Sequence, residues 1–144
     1  MATWAIERIL ARSSRPGYRS QNVQLKEVDA WLKQIREMGI KSIICLLTTQ
    51  QLSYYASIPE GLLEYYRKQD FKTKHFPVTD PNDDPIHGEE ELMANREPIY
   101  QAFFKLPKPV LVHCSAGLQR TGPMVEYIRK RWSEDGIAPA GHTS

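Results

Sequence analysis

The stretch VLVHCSAGLQRTG, residues 110–122, ends an apolar run on His113 and Cys114, leaves five residues before Arg120, and closes on Thr121 and Gly122. A loop that leaves a strand and enters a helix can turn successive backbone N–H groups toward one point. The helix N-terminus adds partial positive charge there. The stretch is therefore a candidate anion cradle. Ser115, Ala116, Gly117, Leu118 and Gln119 supply its amides, and Arg120 supplies both an amide and a planar fork matched to two phosphate oxygens. Gly117 permits a left-handed turn or a close backbone approach that most residues cannot supply.

Cys114 at the base of such a cradle turns binding into reaction. Donors and positive charge that hold a phosphate dianion would, in the empty site, stabilise a thiolate and lower the pKa of Cys114. A thiolate facing a phosphoryl group is a nucleophile in place. His113 is expected to fix the loop through hydrogen bonds and to help hold the thiolate, and Thr121 can offer its hydroxyl to the same sulfur. Taken singly, a cysteine after valines is usually an inert small hydrophobe and its histidine neighbour a satisfied core residue. The fixed register of His, Cys, Gly, Arg and Thr favours chemistry.

The elements that position this loop follow from periodicity. Residues 4–10, WAIERIL, suggest a first strand, and ARSSRPGYRS reads as a loop around Pro16-Gly17. Leu25, Val28, Trp31, Leu32, Ile35 and Met38 recur at helical spacing over residues 22–38, with Gly39 as a stop. SIICLL at 42–47 and FKTKHFPV at 71–78 read as strands, with a loop and a short helix between them. TDPNDDP from Thr79 cannot be regular structure. A helix is expected over 89–105, kinked or split by Pro98. PVLV at 109–112 is the last strand, followed by a helix carrying Met124, Val125, Ile128 and Trp132 on one face. Pro123 requires that helix to start just before it.

Strands alternating with helices predict an α/β domain: a central, mostly parallel sheet flanked by helices on both faces, with the cradle between the last strand and a helix. Ligands of such sheets bind beyond the C-terminal strand ends, where the stretch sits. A chain of 144 residues suits one core, here expected over 1–132, with 133–144 as a mobile tail. Apolar content of 41% and charged content of 25% exclude disorder.

A net charge of +2, from 19 basic and 17 acidic residues, gives no strong nucleic-acid signal. Local bias is larger. Arg8, Arg12, Arg15 and Arg19 cluster without an acid, and Asp80, Asp83, Asp84, Glu89, Glu90 and Glu91 cluster without Lys or Arg. Each cluster reads as a solvated face or as functional. Two cysteines, Cys45 and Cys114, make no disulfide framework, and neither a signal peptide nor a membrane segment is evident, so a cytoplasmic location is expected.

HCSAGLQRTG resembles the signature loop of the cysteine-dependent protein tyrosine phosphatases, and the order of elements is similar to their small dual-specificity-like branch. The resemblance implies a phosphatase with no metal or other cofactor, acting through a cysteinyl-phosphate. Its expected partner is a phosphorylated protein carrying phosphotyrosine, with phosphoserine and phosphothreonine also admitted. It also implies a general acid on the loop before the long helix. In HFPVTDPNDDP, Asp80, three residues after Pro77, matches best; Asp83 and Asp84 are the runners-up, or else cap that helix. Neighbouring carboxylates could raise the pKa of Asp80 toward working pH.

Gln119 departs from the glycine the family often has, and either faces solvent or narrows the mouth. Family members commonly continue with further helices beyond this point, so the helix around Pro98 or a partner subunit is expected to cover the sheet. Cys45 is expected in the core; in some relatives a second cysteine forms a protective disulfide with the nucleophile. Arg12 and Arg15 lie near the mouth or are plain surface residues, and Tyr54, Tyr55, Tyr65 and Tyr66 line the pocket or the core. The absence of lysine between Cys114 and Arg120 lowers an inositol-lipid reading. Inositol phosphates, RNA 5′ ends, and phosphopeptide binding without turnover are the alternatives.

Overall fold

Val110–His113, the VLVH of the signature, are all buried and form strand β5 at the centre of a five-stranded sheet. A computed structural model describes residues 1–135 of the chain. Its other strands are β1 (Thr3–Ile6), β2 (Leu10–Ser13), β3 (Ser42–Cys45) and β4 (Lys72–His75), in the order β1-β2-β5-β3-β4. Only β1 runs antiparallel to its neighbour; β2, β5, β3 and β4 are parallel, with Ser13 and Cys45 both opposite His113.

The helices are α1 (Leu25–Glu37), α2 (Thr49–Leu52), α3 (Leu62–Lys68), α4 (Pro85–Lys105) and α5 (Thr121–Glu134). Alternation along the strands divides the core in two. Ile43, Cys45 and Leu111 face Val28, Trp31, Leu32 and Ile35 of α1 and Tyr66 of α3. Ile44, Leu46, Val110 and Val112 face Ile99, Tyr100 and Phe103 of α4 and Met124, Val125 and Ile128 of α5. Helices thus cover both faces, as expected, and α4 with α5 covers the second.

Four expectations need correcting. The single strand over 4–10 is two strands joined by a turn, with Ile9 N–H on the Ile6 carbonyl at 2.9 Å and Arg8 at φ 62°. Residues 11–13, expected in a loop, complete β2; Ala-Arg-Ser has no strand pattern, and pairing with β5 imposes one. Helix α4 begins at Pro85 rather than Glu89, because the Asp84 carboxylate accepts the His87 N–H at 3.1 Å and Pro85 suits a first helical position. Pro98 does not split α4, and Ile99, Tyr100 and Phe103 just beyond it are buried against the sheet.

Ser133 and Glu134, placed in the tail by sequence, end α5; residues 136–144 of that tail lie outside the described residues. Among the described residues no helix is long and apolar enough to cross a membrane.

Removing the fully buried Leu111 side chain should cost about 2–5 kcal/mol in Leu111→Ala. Ile86→Ala, at a side chain 74% exposed, should change stability by no more than about 0.5 kcal/mol. Urea unfolding monitored by tryptophan fluorescence distinguishes the two.

Candidate active site

Strand β5 delivers Cys114 to the base of the loop, and the Gly117 N–H donates to its Sγ at 3.3 Å. Gly117 has φ +79°, and a Cβ there would lie 2.7 Å from the Ser13 carbonyl group and the Ser14 nitrogen. Glycine therefore serves both the turn and the close approach to the end of β2.

That β2 segment also pulls two loop carbonyls outward. Arg15 N–H donates to the Ser115 carbonyl at 2.9 Å, and Arg12 Nη2 donates to the Gly117 carbonyl at 2.7 Å. In a trans peptide the N–H points opposite the C=O, so the Ala116 and Leu118 N–H groups are turned the other way. Arg15, only 3% exposed, further donates from Nε to Ser115 Oγ, and from its terminal nitrogens to Tyr55 Oη and the Gly17 and Ser20 carbonyls. Neither arginine is a free surface charge. Both brace the loop.

His113 is buried among aromatic rings. Tyr66 Oη lies 3.0 Å from its Nε2, and its Nδ1 lies 3.0 Å from the Cys114 carbonyl. A carbonyl only accepts, so Nδ1 carries the proton and Nε2 accepts from Tyr66. Trp31 stacks on Tyr66 and meets the His113 ring edge-on. Burial holds the His113 pKa down at about 4, so the ring is neutral at physiological pH. It fixes the loop, and contributes no positive charge to the sulfur.

Burial by itself would raise the Cys114 pKa. The Thr121 hydroxyl, the Arg120 charge and the backbone N–H groups of Thr121 and Arg120 outweigh it and hold the thiol below its ordinary value. The Thr121 hydroxyl is buried and makes no other hydrogen bond among the described residues, and its effect on the Cys114 thiol is the lowering just given. Cys45 lies in the α1-side core, on the opposite face of the sheet from Cys114, and burial pushes its thiol up to about 12.

Arg120 is 1% exposed, with acceptors on both terminal nitrogens. Its Nη1 donates to the Val78 carbonyl and Gln51 Oε1, both at 2.9 Å, and to the Leu46 carbonyl at 3.3 Å. Its Nη2 pairs with Asp80 Oδ2 at 3.0 Å. Asp80 Oδ2 also accepts from Gln51 Nε2 at 3.1 Å, and Oδ1 from the Asn82 N–H at 3.0 Å.

Of the three candidate acids, the structure brings Asp80 to Arg120. Asp84 caps α4 and pairs with His87 at 3.0 Å, and the His87 N–H and ring hold its carboxyl below the usual range. It is engaged at the helix start rather than set against Asp80. The acidic run also pins the loop: Glu91 Oε1 accepts the Thr79 N–H at 2.7 Å, and Gly88 lets α4 approach so closely that a Cβ would lie 2.8 Å from the Thr79 carbonyl oxygen.

A cavity of about 50 Å³ opens over Cys114 and Arg120, rimmed by Tyr18, Asp80, Asn82, Ser115 and Gln119. Gln119 thus lines the mouth, whereas Leu118 is 65% exposed and is not part of the cavity lining. Tyr55 and Tyr66 are core, and Tyr65 bonds Asp29 at the surface. Two larger hollows, of about 440 and 580 Å³, lie around Phe71 and Lys72 at the start of β4, where they include neither Cys114 nor Arg120.

Gln51, Tyr18 and the bracing roles of Arg12 and Arg15 were not evident from sequence. Only Gln51 left a trace, in the capping box it forms with Thr48.

The sequence matches the family model for Cyclin-dependent kinase inhibitor 3 (CDKN3) over residues 3–141. No curated protein matches it. Among solved structures it is similar to the core catalytic domain of the PP-IP phosphatase SIW14 from S. cerevisiae, in complex with citrate. The TM-score is 0.52 and the identity 19%, over 92% of this chain and 66% of that one. The chain therefore spans just under two thirds of that domain's length, and the likeness is one of fold.

Two titrations follow. The unfolded chain binds a proton at His113 near pH 6.5 and the folded one only near 4. Stability from this residue is thus complete above 6.5 and falls by about 1.4 kcal/mol per pH unit as pH drops toward 4. Urea unfolding between pH 7 and 5 reads that slope. Alkylation by iodoacetamide should show Cys114 reacting with a midpoint below that of a free thiol, and Thr121→Val should move the midpoint up. Cys45 should stay unreactive.

Proposed function

The chain belongs to the cyclin-dependent kinase inhibitor 3 (CDKN3) family, within the cysteine-dependent protein tyrosine phosphatase superfamily. From that premise we propose that it hydrolyses single phosphate monoesters on protein side chains, phosphotyrosine foremost and phosphoserine or phosphothreonine as well, through a cysteinyl-phosphate. The observation that supports this most is the Cys114 thiol: held below its ordinary pKa, bonded to the Gly117 amide, and set under a small cavity with Asp80 on its rim.

In this mechanism the phosphoryl group sits over Cys114 with its equatorial oxygens on the backbone N–H groups of residues 115–120 and on Arg120. The Cys114 sulfur attacks phosphorus in line. The S–P bond forms as the P–O bond to the side-chain oxygen breaks, and Asp80 delivers its proton to that oxygen. Water then attacks the cysteinyl-phosphate, Asp80 takes the water's proton, and the S–P bond returns its electrons to sulfur. Thr121 donates a hydrogen bond to the departing thiolate, and His113 keeps the Cys114 carbonyl fixed throughout.

The charge around the cavity favours a monoester. Among the described residues Arg120 is the only cation in its lining, and Asp80 offsets it. Inositol pyrophosphates, the class to which the name of the SIW14 neighbour points, bring far more negative charge than this rim balances. RNA 5′-triphosphates do likewise.

Phosphate release should be measured on phosphotyrosine, phosphoserine and phosphothreonine peptides, an inositol pyrophosphate and a 5′-triphosphorylated RNA at one ionic strength. The expected result is release from phosphopeptides that Cys114→Ser abolishes and Asp80→Asn lowers by about 10²–10⁴-fold in kcat. Higher kcat/KM on the inositol pyrophosphate would overturn the substrate class. Phosphopeptide binding with no turnover would overturn the catalytic assignment and leave a recognition module.

A further inference from the structure

Gln51 reaches the site from α2, 69 positions before Arg120 in the chain. Only 7% exposed, it puts both ends of its amide to use. Oε1 accepts from Arg120 Nη1 at 2.9 Å and from the Thr48 N–H at 3.2 Å; Nε2 donates to Asp80 Oδ2 at 3.1 Å. A primary amide can accept from a cation while donating to an anion, which neither a carboxylate nor an aliphatic side chain can do.

The two arms of Arg120 differ in how they are held. Nη1 is fixed by three acceptors, the Leu46 and Val78 carbonyls and Gln51. Nη2 is held by Asp80 alone. Nη2 carries two N–H groups and Asp80 takes one, so a phosphoryl group that binds there either shares Nη2 with Asp80 or displaces it, and leaves Nη1 where it was. Once that pairing is lost, Asp80 keeps the Asn82 N–H of its own loop on Oδ1, and the Gln51 Nε2 bond to Oδ2 is what ties the carboxyl to the rest of the site.

Resting on the phosphatase reading above, we propose that Gln51 is a positioning residue: it holds Asp80 at the rim when phosphate takes Arg120, and so keeps the proton donor within reach of the leaving oxygen. A residue acting through the general acid matters most when the leaving group needs a proton. One that merely supports Arg120 or the fold matters equally for every substrate.

Gln51→Glu separates these roles, since it keeps an acceptor for Arg120 and Thr48 and replaces the donor to Asp80 by a second carboxylate. Its kcat should be compared with wild type on phenyl phosphate and on 2,4-dinitrophenyl phosphate, whose leaving group departs without protonation. The expected result is a loss of about 10–100-fold on phenyl phosphate, the worth of one hydrogen bond to a charged group, and little loss on the dinitrophenyl ester. The alkaline limb of the kcat profile should move up, because a second carboxylate disfavours ionisation of its neighbour. In an Asp80→Asn background the same substitution should add little.

If Gln51→Glu does not fold, Gln51→Met takes its place; it removes acceptor and donor alike without adding charge, and the comparison of the two esters still reads whether the loss follows protonation of the leaving group. Equal losses on both esters, or no loss on either, in an active enzyme would overturn the positioning role and leave the phosphatase reading standing. A wild type that turns over neither ester would overturn both.

Discussion

A guanidinium that is 1% exposed is the constraint around which this molecule is arranged. Arginine stays charged inside a protein, and an isolated buried charge costs far more than a small domain's net stability. Arg120 must therefore be surrounded by acceptors, and these come from four separate places. Leu46 lies just past β3, Val78 just past β4, Gln51 on α2, and Asp80 on the loop before α4. One ion thus gathers the C-terminal ends of neighbouring parallel strands and the segments after them, the end of such a sheet where ligands bind. The same charge helps hold the Cys114 thiol low.

The other side of the loop is governed by carbonyl groups rather than charge. Arg12 and the Arg15 N–H draw two carbonyls outward, Gly117 lets the loop lie against β2, and Trp31 donates its indole N–H to Ser13 and Ser14 of that same edge. The Tyr66 to His113 hydrogen bond fixes the tautomer that donates to the Cys114 carbonyl. Because His113 is neutral, the field at the sulfur comes from Arg120, Thr121 and amides. Such a field is fully in place before any ligand arrives, which is the condition for electrostatic catalysis without reorganisation.

Much of this was legible from the chain. The VLVH run, the helical spacing from Val28 to Ile35, and Pro123 just inside α5 are local patterns, and local patterns mark elements well. The Cys-to-Arg loop was legible for the same reason, since its residues are sequence neighbours. Strand β2 was not, because Ala-Arg-Ser carries no strand signal and owes its conformation to pairing with β5. The start of α4 was missed because Asp84 read equally well as a candidate acid and as a cap. Arg15 stayed open between the mouth and the surface, since a charge satisfied by carbonyls and a tyrosine hydroxyl leaves no partner to find in the sequence. Gln51 was out of reach for the opposite reason: its partners are 29 and 69 positions away, joined only by the sheet's connectivity.

The central claim is that phosphate passes through the Cys114 sulfur. The direct measurement is mass spectrometry of Asp80→Ala, acid-quenched during turnover of 2,4-dinitrophenyl phosphate. That ester needs no proton to leave, whereas release of the enzyme-bound phosphoryl group lacks its base and slows. The account predicts one phosphoryl group accumulating on the peptide that holds residues 110–120, on sulfur. Turnover with Cys114 unmodified, or a phosphoryl group on any other residue, would contradict it.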